Sequence, residues 1–217
     1  NCSEGGVSIN AQCIIYLQHN TIYDNRKLGV FVESSPDTTV YDNTLRNNGA
    51  NNLLIEASSP QVKENRILDS EDIAVRLSSS NSEFQDNIIR NVSNLAVSLD
   101  DSSPKFKNTI FEVIEGNTFE MVGICNVVVW NSTIKEGSVV ISNFDSTLVI
   151  KNYLTVHVSV DGSPFKDATV VYYDNDRKVT QKTTGVSGFA PPVLMTDRVY
   201  MGSSVPSDNV TNITVVF

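Results

Sequence analysis

Every 22 residues the chain returns to the same kind of side chain. Val40, Val62, Phe84, Phe106 and Val128 form one such ladder, and Leu45, Ile67, Ile89 and Phe111 form a second with the same step. A third runs Leu53, Val75, Val97, Phe119 and Ile141, and a fourth runs Ile55, Leu77, Leu99 and Met121. Leu17, Ile22, Val30 and Val32 extend the ladders backwards with a step of 23. Four apolar ladders with one shared period mean that a single structural unit is repeated. Such a repeat is read before local structure because it decides the fold.

Within each repeat, "LLIEA", "IAVRL" and "LAVSL" alternate apolar and polar residues, which is the period of a β-strand. No segment keeps i, i+3, i+4 spacing long enough for a helix, which excludes helical repeats. The fixed leucine spacing of a leucine-rich repeat is also missing. The expectation is a solenoid of short strands, each pairing in parallel with its equivalent in the next turn.

Two polar phrases mark the corners of that solenoid. Ser-Ser, usually followed by Pro, begins at Ser34, Ser58, Ser79 and Ser102. There the Pro presets φ and the hydroxyls satisfy turn amides. The second phrase is Asn20, Asn43, Asn65 and Asn87, followed by Asn108 one residue early. An asparagine at a corner tolerates the left-handed conformation and can pass amide hydrogen bonds from coil to coil. The neighbouring Asp42, Glu64 and Asp86 are expected to point outward.

With this coil length and this stacked asparagine, residues from about 7 to 150 resemble the right-handed parallel β-helix family. The resemblance implies an all-β rod of about six coils, on the order of 30 Å long at ~4.8 Å per coil. Such rods are usually capped, so a further stretch upstream is expected. The predicted division is a β-helix over 1–152 and a separate module over 153–217. After Asn152 the ladder stops, and "DGSP", "DATVVYYD" and "TTGVSGFA" read as strands joined by tight turns. These strings resemble the carboxypeptidase-regulatory-like and Ig-like β-sandwich modules of secreted and surface proteins. That resemblance implies a small antiparallel β-sandwich-like domain, incomplete at this length. "NITVVF" is expected as an edge strand able to pair with a neighbour.

A formal net charge of −9 argues against nucleic acid and anionic membrane surfaces as partners. No apolar run approaches the ~20 residues of a membrane-spanning helix. The opening "NCSEGG" lacks Met and reads as a processed or fragmentary piece. Cys2, Cys13 and Cys125 have no metal-binding spacing. Cys2 and Cys13 are the near pair whose bonding is left open, while Cys13 and Cys125 also read as small core hydrophobes inside strands.

The search for chemistry yields little that converges. His19 and His157 fall in different predicted domains, and no His/Cys cluster suits zinc, copper or iron. Periplasmic copper-maturation β-helices share the repeat but would want more Cys, Met or His. Neither a metal nor another cofactor is expected. Nucleophile-elbow, dinucleotide and P-loop motifs are missing.

Asp100 and Asp101 follow "LAVSL" and resemble the Asp-Asp pair of polygalacturonase-like β-helices, where two carboxylates act as acid and base. That pattern also wants a His and an Arg-x-Lys on later coils, and residues 102–150 contain neither. The pair also aligns with the serine corner, at Ala57-Ser58 and Ser78-Ser79, where acidic residues are simply solvated. Asp69, Glu71 and Asp72 near Arg66 and Arg76 could form a lyase-type calcium and base site, and read more simply as surface charges. Trp130, Tyr16, Tyr23 and Tyr41 are too scattered to define a sugar-stacking face. Candidate N-glycosylation sites are Asn1, Asn91, Asn131, Asn209 and Asn212.

The expected function is an extracellular, non-catalytic cell-surface or appendage protein. It would be a stiff spacer that associates with itself through strand edges or binds other surface proteins. An adhesin would differ only in having a ligand. The alternative is a polysaccharide-active or polysaccharide-binding β-helix protein of hydrolase or lyase type.

Overall fold

The computed structural model describes residues 5–10, 14–132, 134, 138–202, 207–208 and 211–216. The chain divides into two compact units, Asn1–Leu148 with Met201–Val205 and Val149–Tyr200 with Pro206–Phe217. The first unit is a parallel β-solenoid. Among the described residues its sheet 1 stacks Gly5–Asn10, Leu28–Glu33, Asn51–Glu56, Ile73–Ser78, Leu95–Asp100, Asn117–Val122 and Val139–Ile141. Sheet 2 stacks Tyr16–Gln18, Thr39–Tyr41, Gln61–Lys63, Glu83–Gln85, Lys105–Lys107 and Asn126–Trp130. Sheet 3 stacks Thr21–Tyr23, Thr44–Arg46, Arg66–Ser70, Ile88–Val92 and Ile110–Ile114.

The apolar ladders become the interior because alternate residues of a strand face opposite sides. Val30, Leu53, Val75, Val97 and Phe119 stand one above another in sheet 1 and are fully buried. Val40, Val62, Phe84 and Phe106 do the same in sheet 2, where the Phe84 and Phe106 rings stack 4.8 Å apart. Each such side chain contributes about 1.5–3 kcal/mol by leaving water.

Two rungs differ from the simple period. Val128 pairs with Lys105 and is half-buried, while Val129 takes the place beneath Phe106. The cause is one extra residue, Ile124, exposed at the corner between Gly123 and Cys125. Ile141 pairs with Met121 and not with Phe119, whose partner is Val139, so this coil advances by 20 residues.

Three columns of left-handed residues turn the chain at each coil. One is His19, Asp42, Glu64, Asp86, Asn108 and Asn131; a second is Asp24, Asn47, Asp69, Asn91 and Val113. The third is Ser34, Ala57, Ser79, Asp101 and Gly123. Asparagine, aspartate and glycine take this conformation at low cost, whereas a β-branched residue such as Val113 is strained in it. The left-handed residue is therefore the one before the stacked asparagine, and the ladder asparagines lie just inside the corner.

Buried side-chain amides bind the coils together there. Asn20 donates from its backbone N and Nδ2 to Asn43 Oδ1, at 2.9 and 3.1 Å. Asn43 donates in the same way to Asn65, and Asn65 to Asn87. Asn65 Nδ2 also reaches the carbonyls of Val40 and Lys63, so the amide is saturated. Asn108 is not in this ladder. Thr109 takes the rung, with its N donating to Ser132 Oγ at 2.9 Å. Asn108 occupies the outer left-handed column and donates to Asp86 Oδ1 at 2.8 Å.

Two further polar ladders run through the interior. Asn25 donates to Asn48, Asn48 to Asn52, and Asn52 to Ser70 Oγ. The serine phrase supplies the other, because Ser35 N donates to Ser58 Oγ and Ser80 N to Ser102 Oγ. These hydroxyls accept from amides of the neighbouring coil and not from their own turn. Cys125 belongs to this stack: it is a buried core residue as expected, but it lies at the corner just before Asn126–Trp130 and not inside a strand. It is buried and free, its Sγ accepts from Ser102 N at 3.5 Å, and its N donates to Ser146 Oγ. Cys2 and Cys13 lie outside the described residues.

The second unit contains small antiparallel sheets as well as the longer strand Val193–Met201. Thr169–Asp174 lies between Arg177–Thr183 and Thr211–Val216. Two hairpins turn on residue pairs with positive φ, Asp161-Gly162 and Asn175-Asp176, which matches the twist of the flanking strands. Its core gathers Val158, Ala168, Val170, Tyr172, Ala190, Val193 and Met195. No helix among the described residues is long and apolar enough to cross a membrane.

Asn65→Leu should lower unfolding free energy by about 1–3 kcal/mol, since it strips partners from buried groups on three coils. Asn108→Gly keeps the left-handed corner and should stay within about 0.5 kcal/mol of the parent. Thermal melts of the two variants check the contrast. Val113→Asn should raise stability by about 1 kcal/mol by relieving a strained corner, read from the midpoint of denaturant unfolding.

Candidate functional site

The interior is filled by ladders, so chemistry must come from outward columns and corners. Asp100 ends its sheet 1 strand, paired with Ser78 and Val122. It stands in the outward column of Glu33 and Glu56. Asp101 is the next residue, at a left-handed corner, and its Oδ1 accepts from the Ile124 amide at 2.8 Å. The pair is in register with Glu56-Ala57 and Ser78-Ser79, one residue off the Ala57-Ser58 alignment. The serine phrase does not start on the same rung of every coil, which is why the alignment slips. One carboxylate of the pair is thus committed to holding the Ile124 corner.

The other candidates also disperse. Asp69 accepts from Asn91 Nδ2 at 2.9 Å, and Asp72 from Asn94 Nδ2 at 2.8 Å. Arg66 is on sheet 3 and Arg76 on sheet 1, so a lyase-type base and carboxylate cluster is not brought together. Among the described residues no group of three or more His, Cys, Asp or Glu is placed to hold a metal ion. His19 Nδ1 is 2.8 Å from Asp42 Oδ2, with its ring edge on Tyr41. His157 forms a bridge with Phe189, and the two rings lie 4.5 Å apart.

Sheet 2 does assemble an outward face that the sequence hid. Gln18, Tyr41, Lys63, Gln85, Lys107 and Trp130 form one column in register. Tyr16, Thr39, Gln61, Glu83 and Lys105 form the column beside it. Tyr16, Tyr41 and Trp130 therefore share a face with amides and ammonium groups. Tyr23 does not, and lies on sheet 3 beneath the Arg46 guanidinium at 4.8 Å. A shallow groove at the edge of the sheet 2 face is lined by Tyr16, Pro36, Thr39 and Gln61. The common step along each column was readable, but outward positions change type from coil to coil and make no apolar ladder.

Local charges tune this corner. The negative charge of Glu64, to which the Tyr41 hydroxyl donates at 3.3 Å, pushes the Tyr41 phenol above its usual value. Hydrogen bonds from Asn108 and then Gln85 hold the Asp86 carboxyl below the usual carboxylate range. Burial pushes the Cys125 thiol up, as it does the Tyr172 phenol of the second unit.

Three of the sequon asparagines are exposed. Asn91 donates to Asp69, Asn131 to Asn108 and Asn212 to Asp176. Asn1 and Asn209 lie outside the described residues.

The family model described as a right handed beta helix region matches residues 5–158. No curated protein matches the chain. Among solved structures, the chain is similar to the bacteriophage CBA120 tailspike protein 2 enzymatically active domain, at a TM-score of 0.48 and 8% identity. That likeness covers 93% of this chain and 44% of the tailspike chain, so the chain spans less than half its length.

Because the Asp86 carboxyl is held low when folded, its contribution is present above the unfolded value near 3.9 and is lost as pH falls through the folded value. Asp86→Asn should therefore lose less stability on acidification below about pH 4 than the parent. The carboxylate is exposed, so the difference should stay under about 1 kcal/mol. Denaturant midpoints measured against pH check it.

Proposed function

This chain belongs to the right-handed β-helix family, and we propose that it serves as a stiff, non-catalytic spacer of an extracellular surface or appendage. The observation that carries this reading is the saturated asparagine ladder, which joins successive coils through buried amides. A rod stitched in this way resists bending and local opening, because no coil can move without breaking buried hydrogen bonds.

The reading includes a two-part organisation, with the rod over 1–152 and a module of carboxypeptidase-regulatory-like or Ig-like β-sandwich type over 153–217. The small antiparallel sheets of the second unit support it. Thr211–Val216 is the last strand of its sheet and exposes Ile213, which suits a joint to a neighbouring copy or surface protein by strand addition. Exposed Asn91, Asn131 and Asn212 are positions where glycans would sit without disturbing the core.

A second reading, a polysaccharide-binding β-helix, is favoured by one observation. Tyr16, Tyr41 and Trp130 share the sheet 2 face with Gln18, Gln85, Lys63 and Lys107. Aromatic faces and fixed amides on a ~4.8 Å repeat suit a linear polymer of repeating units.

Electron microscopy of native envelope material separates the two. Chain located in an ordered filament or lattice is the expected result. Dispersed particles that deplete a polysaccharide from solution, with loss of depletion in Tyr41→Ala, would overturn the spacer in favour of the binding protein. Polysaccharide turnover that disappears in Asp100→Asn with Asp101→Asn would overturn the non-catalytic reading itself.

A further inference from the structure

The outer faces of sheets 1 and 3 carry charges that the fold does not neutralise. On sheet 3, Arg46, Arg66 and Arg90 point outward on three successive coils, with Leu68 and Ile88 between them. Arg90 is 3.2 Å from Glu112, and the Arg46 guanidinium rests on Tyr23. Among the described residues no carboxylate comes within ion-pair distance of Arg66. The carboxylates at the flanking corners are occupied, with Asp69 bonded to Asn91 and Asp86 to Asn108.

Over its first coils sheet 1 presents the opposite pattern, with Arg76 the outward cation on the coil after Leu54. Glu33 and Glu56 are directly paired across adjacent strands, and Asp100 continues the same column. Like charges paired in this way destabilise a sheet. Among the described residues neither glutamate has a cation within ion-pair distance. Half-buried Phe31 and Leu54 form the column alongside.

We propose that the sheet 1 face of one copy docks on the sheet 3 face of another, so that the rods associate side by side. Both faces repeat at the same rung spacing of ~4.8 Å. Arg46 and Arg66 lie on consecutive rungs but two residues apart along the strand. The long arginine side chains can span that offset to reach the stacked Glu33 and Glu56, while Phe31 and Leu54 cover Leu68 and Ile88. The contact relieves a stacked like-charge pair on one side and an unpaired guanidinium on the other. Because the two faces differ, it is heterologous and propagates where a two-fold contact would close. The sheet 3 face is small, on the order of 200 Å² from its strand spacing. A stable pair needs roughly 800 Å² per partner. The contact is accordingly weak, screened by salt, and effective through repetition. It rests on the assembling-spacer reading above, but uses a surface distinct from the edge strand Thr211–Val216.

The test is a charge swap followed by sedimentation at low ionic strength. One protein carries Arg46→Glu with Arg66→Glu, and the other carries Glu33→Arg with Glu56→Arg. The parent should form concentration-dependent oligomers that disperse in ~0.5 M salt. Each variant alone should associate at least tenfold more weakly, and an equimolar mixture should recover association, since both pairings are then complementary. Unchanged melting temperatures show that both variants fold, and the milder Arg66→Gln and Glu56→Gln should weaken association in the same direction. Variants that associate like the parent, or a mixture that stays monomeric, overturn the lateral contact. A parent that remains monomeric yet binds an anionic polysaccharide through Arg46 and Arg66 overturns it too, and assigns the face to a polymer. Microscopy distinguishes the failures: ordered material from the charge variants sinks only this contact, whereas dispersed parent protein sinks the assembling spacer.

Discussion

The structure depends on each coil returning to the same point, after 22 or 23 residues in most coils. Three left-handed residues per coil accomplish this, at positions such as Asp42, Asn47 and Ala57. If one turn were missing, the next strand would arrive out of register and every rung above it would lose its partner. For most residues the left-handed conformation costs about 1–2 kcal/mol, so a solenoid accumulates strain at every coil. Asn, Asp and Gly at most of these corners keep that cost low. Side-chain hydrogen bonds along the columns, such as Asn47 to Asp24 and Asn91 to Asp69, offset part of the remainder.

With the corners set, the interior sorts itself by distance from the turn. Mid-strand positions take apolar residues, which need only shape and burial. Positions just inside a corner lie where backbone amides have left the ladder of their own sheet, and these must find acceptors. Asn43, Asn65 and Asn87 supply them on one side, and Ser58, Ser102 and Ser146 on another. Irregularities are therefore confined to corners. Ile124 is accommodated as an exposed extra residue, and the rungs of Phe106 and Val129 above it remain aligned.

Function in such a molecule is written on the outward columns. Each column repeats a position and not a residue, so a face can collect aromatic and amide groups, arginines or carboxylates independently of the core. Sheet 2 holds Tyr41, Lys63 and Trp130 along one line, sheet 3 holds a staggered row of arginines, and sheet 1 a line of glutamates. The Asp101 carboxylate, by contrast, is engaged in building its turn. The same coil repeat thus presents chemically different faces on different sides of the β-helix.

The period of the apolar residues was legible because burial tolerates no exceptions: a polar residue at Leu53 or Phe84 would face a sealed interior. The asparagine ladder was legible because inner-corner amides need a buried acceptor on the next coil, which Asn43, Asn65 and Asn87 supply on successive coils. Asn108 was misplaced because sequence shows a residue type, and only the backbone shows which side of the corner it occupies. Val128 and Ile141 were misassigned, and Cys125 was placed in a strand and not at its corner, because short insertions and deletions shift the register without leaving a mark in composition. The sequence alone determined that residues up to about 150 form a stack of parallel coils, since repetition at constant spacing permits little else. Only the tertiary structure decided which polar residues stand together on one face. Outward positions are constrained by water and not by neighbours, so their pattern acquires meaning only when the coils are laid over one another.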